Sequence, residues 1–278
     1  MVSMVSLFAF LVLVGVVDGL SLRMSQQSKG TLVVFGGTGM TGREVIYQGL
    51  SQGCRVITLA RTPSKMLYPD RVKGGAAGTP ITDPLLTVFQ GDVTNAADVE
   101  KCFGAADDVI GCVVALGGKT KDVGPTMLTD GTRNIVESLK KKGQGKRIAV
   151  VTSIGAGDSE KQAPMMFKAL MYTVMKSIFT DKNNQEKLFT QGGPGESLEY
   201  TIVRPGGLGV GEPTGIINVI EGEAGSIQRA DVAQFCLGAV LDKDFPYLKK
   251  TPCISSALGT SWKKQPEIAG FDKVKTAD

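Results

Sequence analysis

The densest chemical signal in the chain is Gly36-Gly37-Thr38-Gly39-Met40-Thr41-Gly42. Glycines at 36, 39 and 42, interleaved with the hydroxyls of Thr38 and Thr41, are suited to holding a phosphate. Gly36 permits a tight turn, Gly39 leaves the backbone bare for a pyrophosphate to approach, and Gly42 lets a following helix pack closely. The spacing is GxxGxxG rather than GxGxxG. Thr31 to Phe35, just before it, is a short apolar run that reads as a buried strand. Met40 to Leu50, just after it, has helical character. A helix beginning there turns unpaired N–H groups and a partial positive charge toward the phosphates. Strand, glycine turn and helix together are the opening of a dinucleotide-binding βαβ unit.

Further candidates sit where strands end. A second apolar run stops at Arg61, about 20 positions after Gly42, where an acid would bond a ribose 2′-hydroxyl. A guanidinium there suits a 2′-phosphate instead, with Ser64 and Lys65 close behind, so NADP(H) is expected over NAD(H). A third run leads into Gly91-Asp92-Val93, where the short acceptor can meet an adenine amino group or simply close a turn. A fourth ends Ala115-Leu116-Gly117-Gly118, bare backbone able to lie against a cofactor. The fifth ends Thr152-Ser153-Ile154, hydroxyls where a nicotinamide would arrive.

These residues need a frame to position them. The pattern alternates strands (Thr31–Phe35, Arg55–Arg61, Leu85–Gln90, Asp108–Leu116, Arg147–Thr152, Tyr200–Val203) with helical stretches (Met40–Leu50, Ala96–Phe103, Pro125–Lys142, Lys161–Gln191). Near-continuous apolar strands with helices between them predict a mostly parallel sheet covered on both faces. With right-handed crossovers this is an α/β, doubly wound (Rossmann) fold in a single domain. Residues 66–84, with three prolines and a Gly/Ala run, read as an insertion. The domain is expected over residues 30–258, followed by a polar tail over residues 259–278.

Composition narrows the chemistry. The chain of 278 residues is 42% hydrophobic and 21% charged, ordinary for a globular domain. Its net charge of +4, without a Lys/Arg block, argues against a nucleic-acid partner. The absence of histidine removes His-based triads and most zinc sites, and no metal is expected. Five scattered cysteines, mostly in apolar segments and without CxxC, read as buried free thiols.

Residues 7–17 are apolar but short for a membrane span, and resemble a signal-peptide core with cleavage after Gly19. Leu20 to Lys29 is basic and Ser-bearing without an acid, like a short transit segment. The expectation is a cleaved presequence over residues 1–29, a two-part address into a plastid, and no membrane span afterwards. A plain secretory signal leading to the ER lumen or the exterior is the alternative. The lack of an N-x-Ser/Thr acceptor and the odd thiol count weigh against a secreted product.

The glycine loop, Gly91-Asp92-Val93, Thr152-Ser153, Ile202-Val-Arg-Pro-Gly-Gly-Leu208 and Asp231-Val232-Ala233 together resemble the atypical short-chain dehydrogenase/reductases. Within that group the chain is similar to the NAD(P)H-binding branch of biliverdin-reductase-B-like, flavin-reductase-like, NmrA-like and plastid Rossmann proteins. The resemblance spans roughly Thr31 to Ser256. It implies that Thr38, Gly39, Met40, Thr41, Arg61, Asp92, Val93, Leu116, Ser153, Pro205 and Gly206 border an NADP molecule. Two readings of the catalytic lysine stay open. Tyr172-Thr-Val-Met-Lys176 literally matches the Tyr-x-x-x-Lys pair of typical family enzymes. Asp181-Lys182-x-x-Gln185-Glu186 instead resembles the site helix of the biliverdin-reductase-like branch, in which Lys182 contacts the cofactor and no tyrosine serves.

The resemblance implies an NADPH-dependent oxidoreductase that passes hydride to a small, flat electron acceptor such as a flavin, quinone or tetrapyrrole, with Ser153 polarising an acceptor oxygen. The rival is a non-catalytic NADP(H)-binding scaffold or redox-responsive assembly factor of the plastid, with Met165–Phe179 as a protein-partner surface. An epimerase or dehydratase would need an acid/base pair that the sequence does not supply.

Overall fold

The structure is a computed structural model and describes residues 28–72, 77–118 and 124–256. Residues 1–27 of the expected presequence and the tail beyond residue 258 lie outside the described residues. In chain order the strands are β1 (Thr31–Phe35), β2 (Arg55–Ala60), β3 (Leu86–Gln90), β4 (Val109–Val114), β5 (Arg147–Val151), β6 (Glu199–Pro205), β7 (Gly207–Gly209), β8 (Asn218–Ile220), β9 (Ser226–Gln228) and β10 (Cys253–Ser255). The α-helices are α1 (Met40–Ser51), α2 (Ala96–Gly104), α3 (Met127–Lys142), α4 (Met165–Tyr172), α5 (Lys176–Lys187) and α6 (Arg229–Leu241).

Every residue of β1 is buried, and its side chains alternate between two cores. Leu32 and Val34 join a cluster with Val45 and Ile46 of α1 and Val232, Phe235 and Ala239 of α6. Val33 and Phe35 join the opposite cluster, with Val99 and Phe103 of α2 and Ile135 and Leu139 of α3. A strand buried on both faces is apolar throughout, which is why it reads as a continuous run in sequence. The sheet order is β3-β2-β1-β4-β5-β6-β10-β8, parallel except where β8 meets β10. This is the doubly wound arrangement expected, in one domain, with the chain reversing direction across the sheet between β1 and β4. Among the described residues no helix is long and apolar enough to cross a membrane.

Two local features differ from the sequence expectation. The helical stretch Lys161–Gln191 is broken into a 3-10 turn at Gly157–Gln162, then α4, then α5. Pro164 lacks an N–H and precedes α4, and the adjacent β-branched Thr173 and Val174, poor helix formers, mark its end. The chain after β6 forms four short strands and α6 that periodicity does not predict. Residues Ala230 to Val240 are all buried, so α6 has no polar face to reveal its period.

The crossing from β2 to β3 holds the insertion read over residues 66–84 and uses no α-helix. It holds a 3-10 turn at Pro63–Lys65 and a bridge between Leu67 and Pro80. Arg71 straps this insertion down with a bidentate pair to Glu44 of α1 at 2.8 and 2.9 Å and a bond to Glu212 at 3.2 Å. Its guanidinium also lies over the Tyr47 ring, 5.4 Å from the centroid.

Candidate functional site

The chain leaves β1 through Gly36 at φ +86, a left-handed conformation that only glycine adopts without strain. A Cβ there would also collide with the carbonyl oxygen of Ala115 at the end of β4. At Gly42 it would collide with the carbonyl of Gly36, so the first turn of α1 sits directly on the loop. Gly37, which sequence reasoning passed over, is closed as well. Its Cβ would lie 2.6 Å from Ile46 Cδ1 and from Thr58 Oγ1.

Gly39 is different. Its backbone is in ordinary extended geometry, and its Cβ would meet only the Gly36 oxygen, at 3.2 Å. Three of these glycines therefore build the loop, and the fourth leaves space above it. No side chain caps α1 and no acid stands in its first turn. By contrast, α2 is capped by Asn95, whose Oδ1 accepts from Ala97 N at 3.0 Å. The N-terminus of α3 is filled by the Asp181 carboxylate, which accepts from the N–H groups of Leu128 and Thr129 at 2.8 and 3.0 Å. The start of α1 is the one of the three left open to an anion.

An open cleft lies over this loop at the carboxyl ends of β1 to β4. Gly36, Thr38, Gly39, Arg61, Asp92, Val93, Leu116 and Gly117 line it, together with Met127. Thr41 lies in the first turn of α1, and Met40 lines a smaller neighbouring recess with Arg43 and Arg229.

Arg61 stands at the cleft wall, exposed, with no hydrogen bond or ion pair to a described residue. The Asp92 carboxylate both closes a turn and faces the cleft. It accepts from the backbone N–H and hydroxyl of Thr94 at 2.9 and 2.7 Å, which with the nearby Arg61 charge hold it below the usual carboxylate range. The turn is held from two sides. The N–H of Asp92 donates to Asp98 Oδ2 at 2.9 Å, and Asn134 Nδ2 donates to the carbonyl of Val93 at 3.0 Å. Helix α3 comes this close because Gly131 has no Cβ, which would lie 2.7 Å from Val93 Cγ1. Asp98, Gly131 and Asn134 are supporting residues that sequence reasoning missed. Asn95-x-x-Asp98 was visible as a helix-start signature, whereas nothing local marks Gly131 or Asn134.

At the far end of the site β5 runs into Thr152 and Ser153. The Thr152 hydroxyl turns inward and donates to Glu186 Oε1 at 2.7 Å, while Ser153 Oγ donates to the carbonyl of Ile154 at 2.9 Å. The segment Asp181-Lys182-x-x-Gln185-Glu186 divides its labour. Asp181 caps α3, and Gln185 Nε2 donates to Thr132 Oγ1 at 2.8 Å. Glu186 forms a buried bidentate pair with Arg204, at 3.1 and 2.6 Å. Lys182 Nζ also reaches the strand end, donating to the carbonyl of Thr152 at 3.1 Å. Burial pushes its ammonium down to about 8, against the opposing pull of Glu186 and Asp181.

Tyr172 and Lys176 are arranged otherwise. The Tyr172 ring is on the surface with its hydroxyl on the Glu160 carboxylate, which raises the phenol above its ordinary value. Lys176 is exposed at the start of α5. Pro205 and Gly206 brace the sheet. The Pro205 carbonyl accepts from Ile154 N at 3.1 Å, and Gly206 N donates to the carbonyl of Ile254 at 3.0 Å. Asp231, buried in α6, accepts from Thr214 N, Thr214 Oγ1 and Gly215 N at 2.9, 2.8 and 3.0 Å, and so fixes the loop after β7.

Comparison with known proteins agrees with this geometry. A family model described as NAD(P)H-binding matches residues 36–243. The chain is 28% identical over 220 residues to an uncharacterised chloroplastic protein of Arabidopsis thaliana, covering 76% of this chain and 72% of that one. It is 29% identical over 201 residues to the reductase pytE of Aspergillus terreus, covering 64% of this chain and 75% of that one. Among solved structures it resembles ChuY, an anaerobillin reductase from Escherichia coli O157:H7. That likeness has a TM-score of 0.61 and 23% identity over 83% of this chain and 100% of the other.

Proposed function

The chain belongs to the NAD(P)H-binding family, and on that premise we propose that it is an NADPH-dependent oxidoreductase acting on a small, flat electron acceptor such as a flavin, quinone or tetrapyrrole. The observation that carries the reading is the cleft, where bare Gly39 faces the uncapped start of α1 and the unpartnered Arg61 stands at the wall. A pyrophosphate over Gly39 would meet the backbone N–H groups of α1, and a 2′-phosphate would meet Arg61. The Asp92 carboxylate would meet the adenine, and Val93, Leu116 and Gly117 wall the cleft. Lys182 and Ser153 stand where the chain can orient the reactive ring and polarise an acceptor oxygen. When bound, the nicotinamide supplies the hydride, and solvent can supply the proton to such acceptors. The name of the pytE relative supports a reductase.

Steady NADPH oxidation by protein starting near Lys29, followed against FMN, quinones and a linear tetrapyrrole, tests this. Turnover with at least one acceptor is expected, and failure to bind NADPH overturns the reading. Binding without turnover on the whole panel would favour the scaffold. The outward placement of Tyr172, its hydroxyl held by Glu160, is what gives that second reading weight.

A plastid address is part of the same reading. The presequence pattern over residues 1–29 and the chloroplastic relative support it. A fluorescent fusion of the full chain that stays in the secretory pathway would refute it.

A further inference from the structure

The carbonyl and the hydroxyl of Thr152 are both taken by α5. The carbonyl accepts from Lys182 Nζ at 3.1 Å, and the hydroxyl donates to Glu186 Oε1 at 2.7 Å. Lys182 and Glu186 stand four residues apart, so they are neighbours on one face of the helix. The N–H of Thr152 is fixed from the other side, donating to the carbonyl of Val203 at 2.9 Å. Ser153 therefore follows a residue that is anchored in three directions.

Glu186 also stands between two cations. On its far side Arg204 Nε and Nη2 donate to its carboxylate at 3.1 and 2.6 Å, and both members of that pair are buried. A Cβ on Gly157 would strike both of them, so the loop after Ser153 lies directly on the pair, and its N–H donates to Asn183, the neighbour of Lys182, at 2.9 Å. The other charges are spent or distant. Asp181 is bound to the N-terminus of α3, and Asp158 meets Arg204 from an exposed position. Asp130, Arg133 and Glu137 on α3 and Glu160 and Lys161 on the 3-10 turn face water, while Lys168 on α4 is half-buried. Glu186, followed by Asp181, supplies the attraction that offsets the burial of the Lys182 ammonium. Without its charge Lys182 would lose the larger of those attractions and face an Arg204 left with Asp158 alone, and both changes disfavour the ammonium.

We propose that Glu186 is a positioning residue of the cofactor site, aiming the Lys182 ammonium through Thr152 and keeping it charged beside the Arg204 guanidinium. The proposal rests on the reading in which Lys182 contacts the nucleotide. Its two parts are separable, because the bond from the Thr152 hydroxyl sets where the ammonium points and the carboxylate sets whether it is charged.

Titration of Lys182 and binding of NADPH test it together. The Lys182 side chain is followed against pH by NMR of lysine-labelled protein without nucleotide, its signal assigned by its loss in Lys182→Met. Glu186→Gln keeps the shape of the side chain and should lower the midpoint from about 8 by about one pH unit, with the alkaline loss of NADPH affinity moving down alongside it. Glu186→Asp restores the charge and should return both toward wild type. Thr152→Val removes only the hydroxyl and leaves the Glu186–Arg204 pair whole, so it keeps the test open if Glu186→Gln does not fold. It should weaken NADPH binding about fivefold with the Lys182 midpoint unmoved. A midpoint unchanged in Glu186→Gln, whatever its melting temperature, overturns the proposal and leaves Glu186 a structural anchor alone. So does an unchanged NADPH affinity in Thr152→Val. Failure of the underlying reading shows differently, as a Lys182→Met protein that binds NADPH as tightly as wild type, and it takes the proposal down with it.

Discussion

The ammonium of Lys182 donates to the carbonyl oxygen of Thr152 at 3.1 Å, immediately before Ser153, whereas the hydroxyl of Tyr172 is turned out onto Glu160. This relationship favours the helix-borne lysine over the tyrosine pair. Tyr172→Phe should leave turnover nearly unchanged. Lys182→Ala should weaken NADPH binding about tenfold, the scale of one charge-assisted contact. Ser153→Ala should lower turnover more than affinity. A loss of about 100-fold or more in Tyr172→Phe, with a silent Lys182→Ala, would make this a conventional acid-assisted reductase.

The same lysine predicts a pH dependence of stability. Its pKa in the fold is about 8, against an ordinary value of 10.5, so the unfolded chain binds more protons between those values. Burying the charged form therefore costs stability below pH 8, and that cost is withdrawn as pH rises toward 10.5. Lys182→Met should be more stable than wild type near neutrality, with the gap closing in alkali. Urea midpoints at pH 7 and pH 10 measure it, and a gap that widens with pH would refute the assignment.

Arg61 should set nucleotide choice. Arg61→Asp is expected to shift preference from NADPH toward NADH by about 1–3 kcal/mol, by removing a charge-assisted contact and adding repulsion. Titration of both nucleotides against both proteins reads the shift. A wild type that already prefers NADH removes Arg61 from the phosphate site.

The glycines of the loop should separate cleanly. Gly39→Val is expected to fold normally yet lose all thermal stabilisation by NADPH, because its Cβ meets only one protein atom, at 3.2 Å. Gly36→Val should instead destabilise the domain itself, being both left-handed and closed by Ala115. Thermal shifts with and without nucleotide distinguish the two, and an unchanged ligand shift in Gly39→Val would discount the pyrophosphate position.

Buried and exposed acids on Arg204 should differ sharply. Glu186→Ala would leave a buried guanidinium without its bidentate partner, a loss of about 3–5 kcal/mol. Asp158 holds the same guanidinium from an exposed position at 2.5 Å, so Asp158→Ala should cost about 1 kcal/mol or less. Denaturant midpoints compare them, and similar losses would mean that Glu186 does not anchor the network.

Much of the lining of the candidate cleft was legible because its chemistry is local. A glycine turn, Arg61 at a strand end and Gly91-Asp92-Val93 each declare themselves within a few residues, and the sheet brings them to one cleft. The supports were not legible, because they arise from contacts between distant segments. Asp181 caps a helix more than 50 residues earlier in the chain, with |i−j| of 53 to Leu128. Tyr172-x-x-x-Lys176 matched a motif literally, yet the helix break at Thr173 puts the two on different helices and the tyrosine hydroxyl bonds Glu160. The short strands β7 to β10 gave no period to read, and α6, buried on every side, hid its own.

All five sulfurs, Cys54, Cys102, Cys112, Cys236 and Cys253, are buried and free, and desolvation lifts the thiols of Cys102 and Cys236 to about 12. A thiol so protonated and enclosed exchanges with neither glutathione nor a dithiol reductase while the domain stays folded. The folded domain is therefore blind to the disulfide poise of its compartment. If the protein reports redox state to a partner, the message has to enter as the ratio of reduced to oxidised nucleotide in the cleft over Gly39.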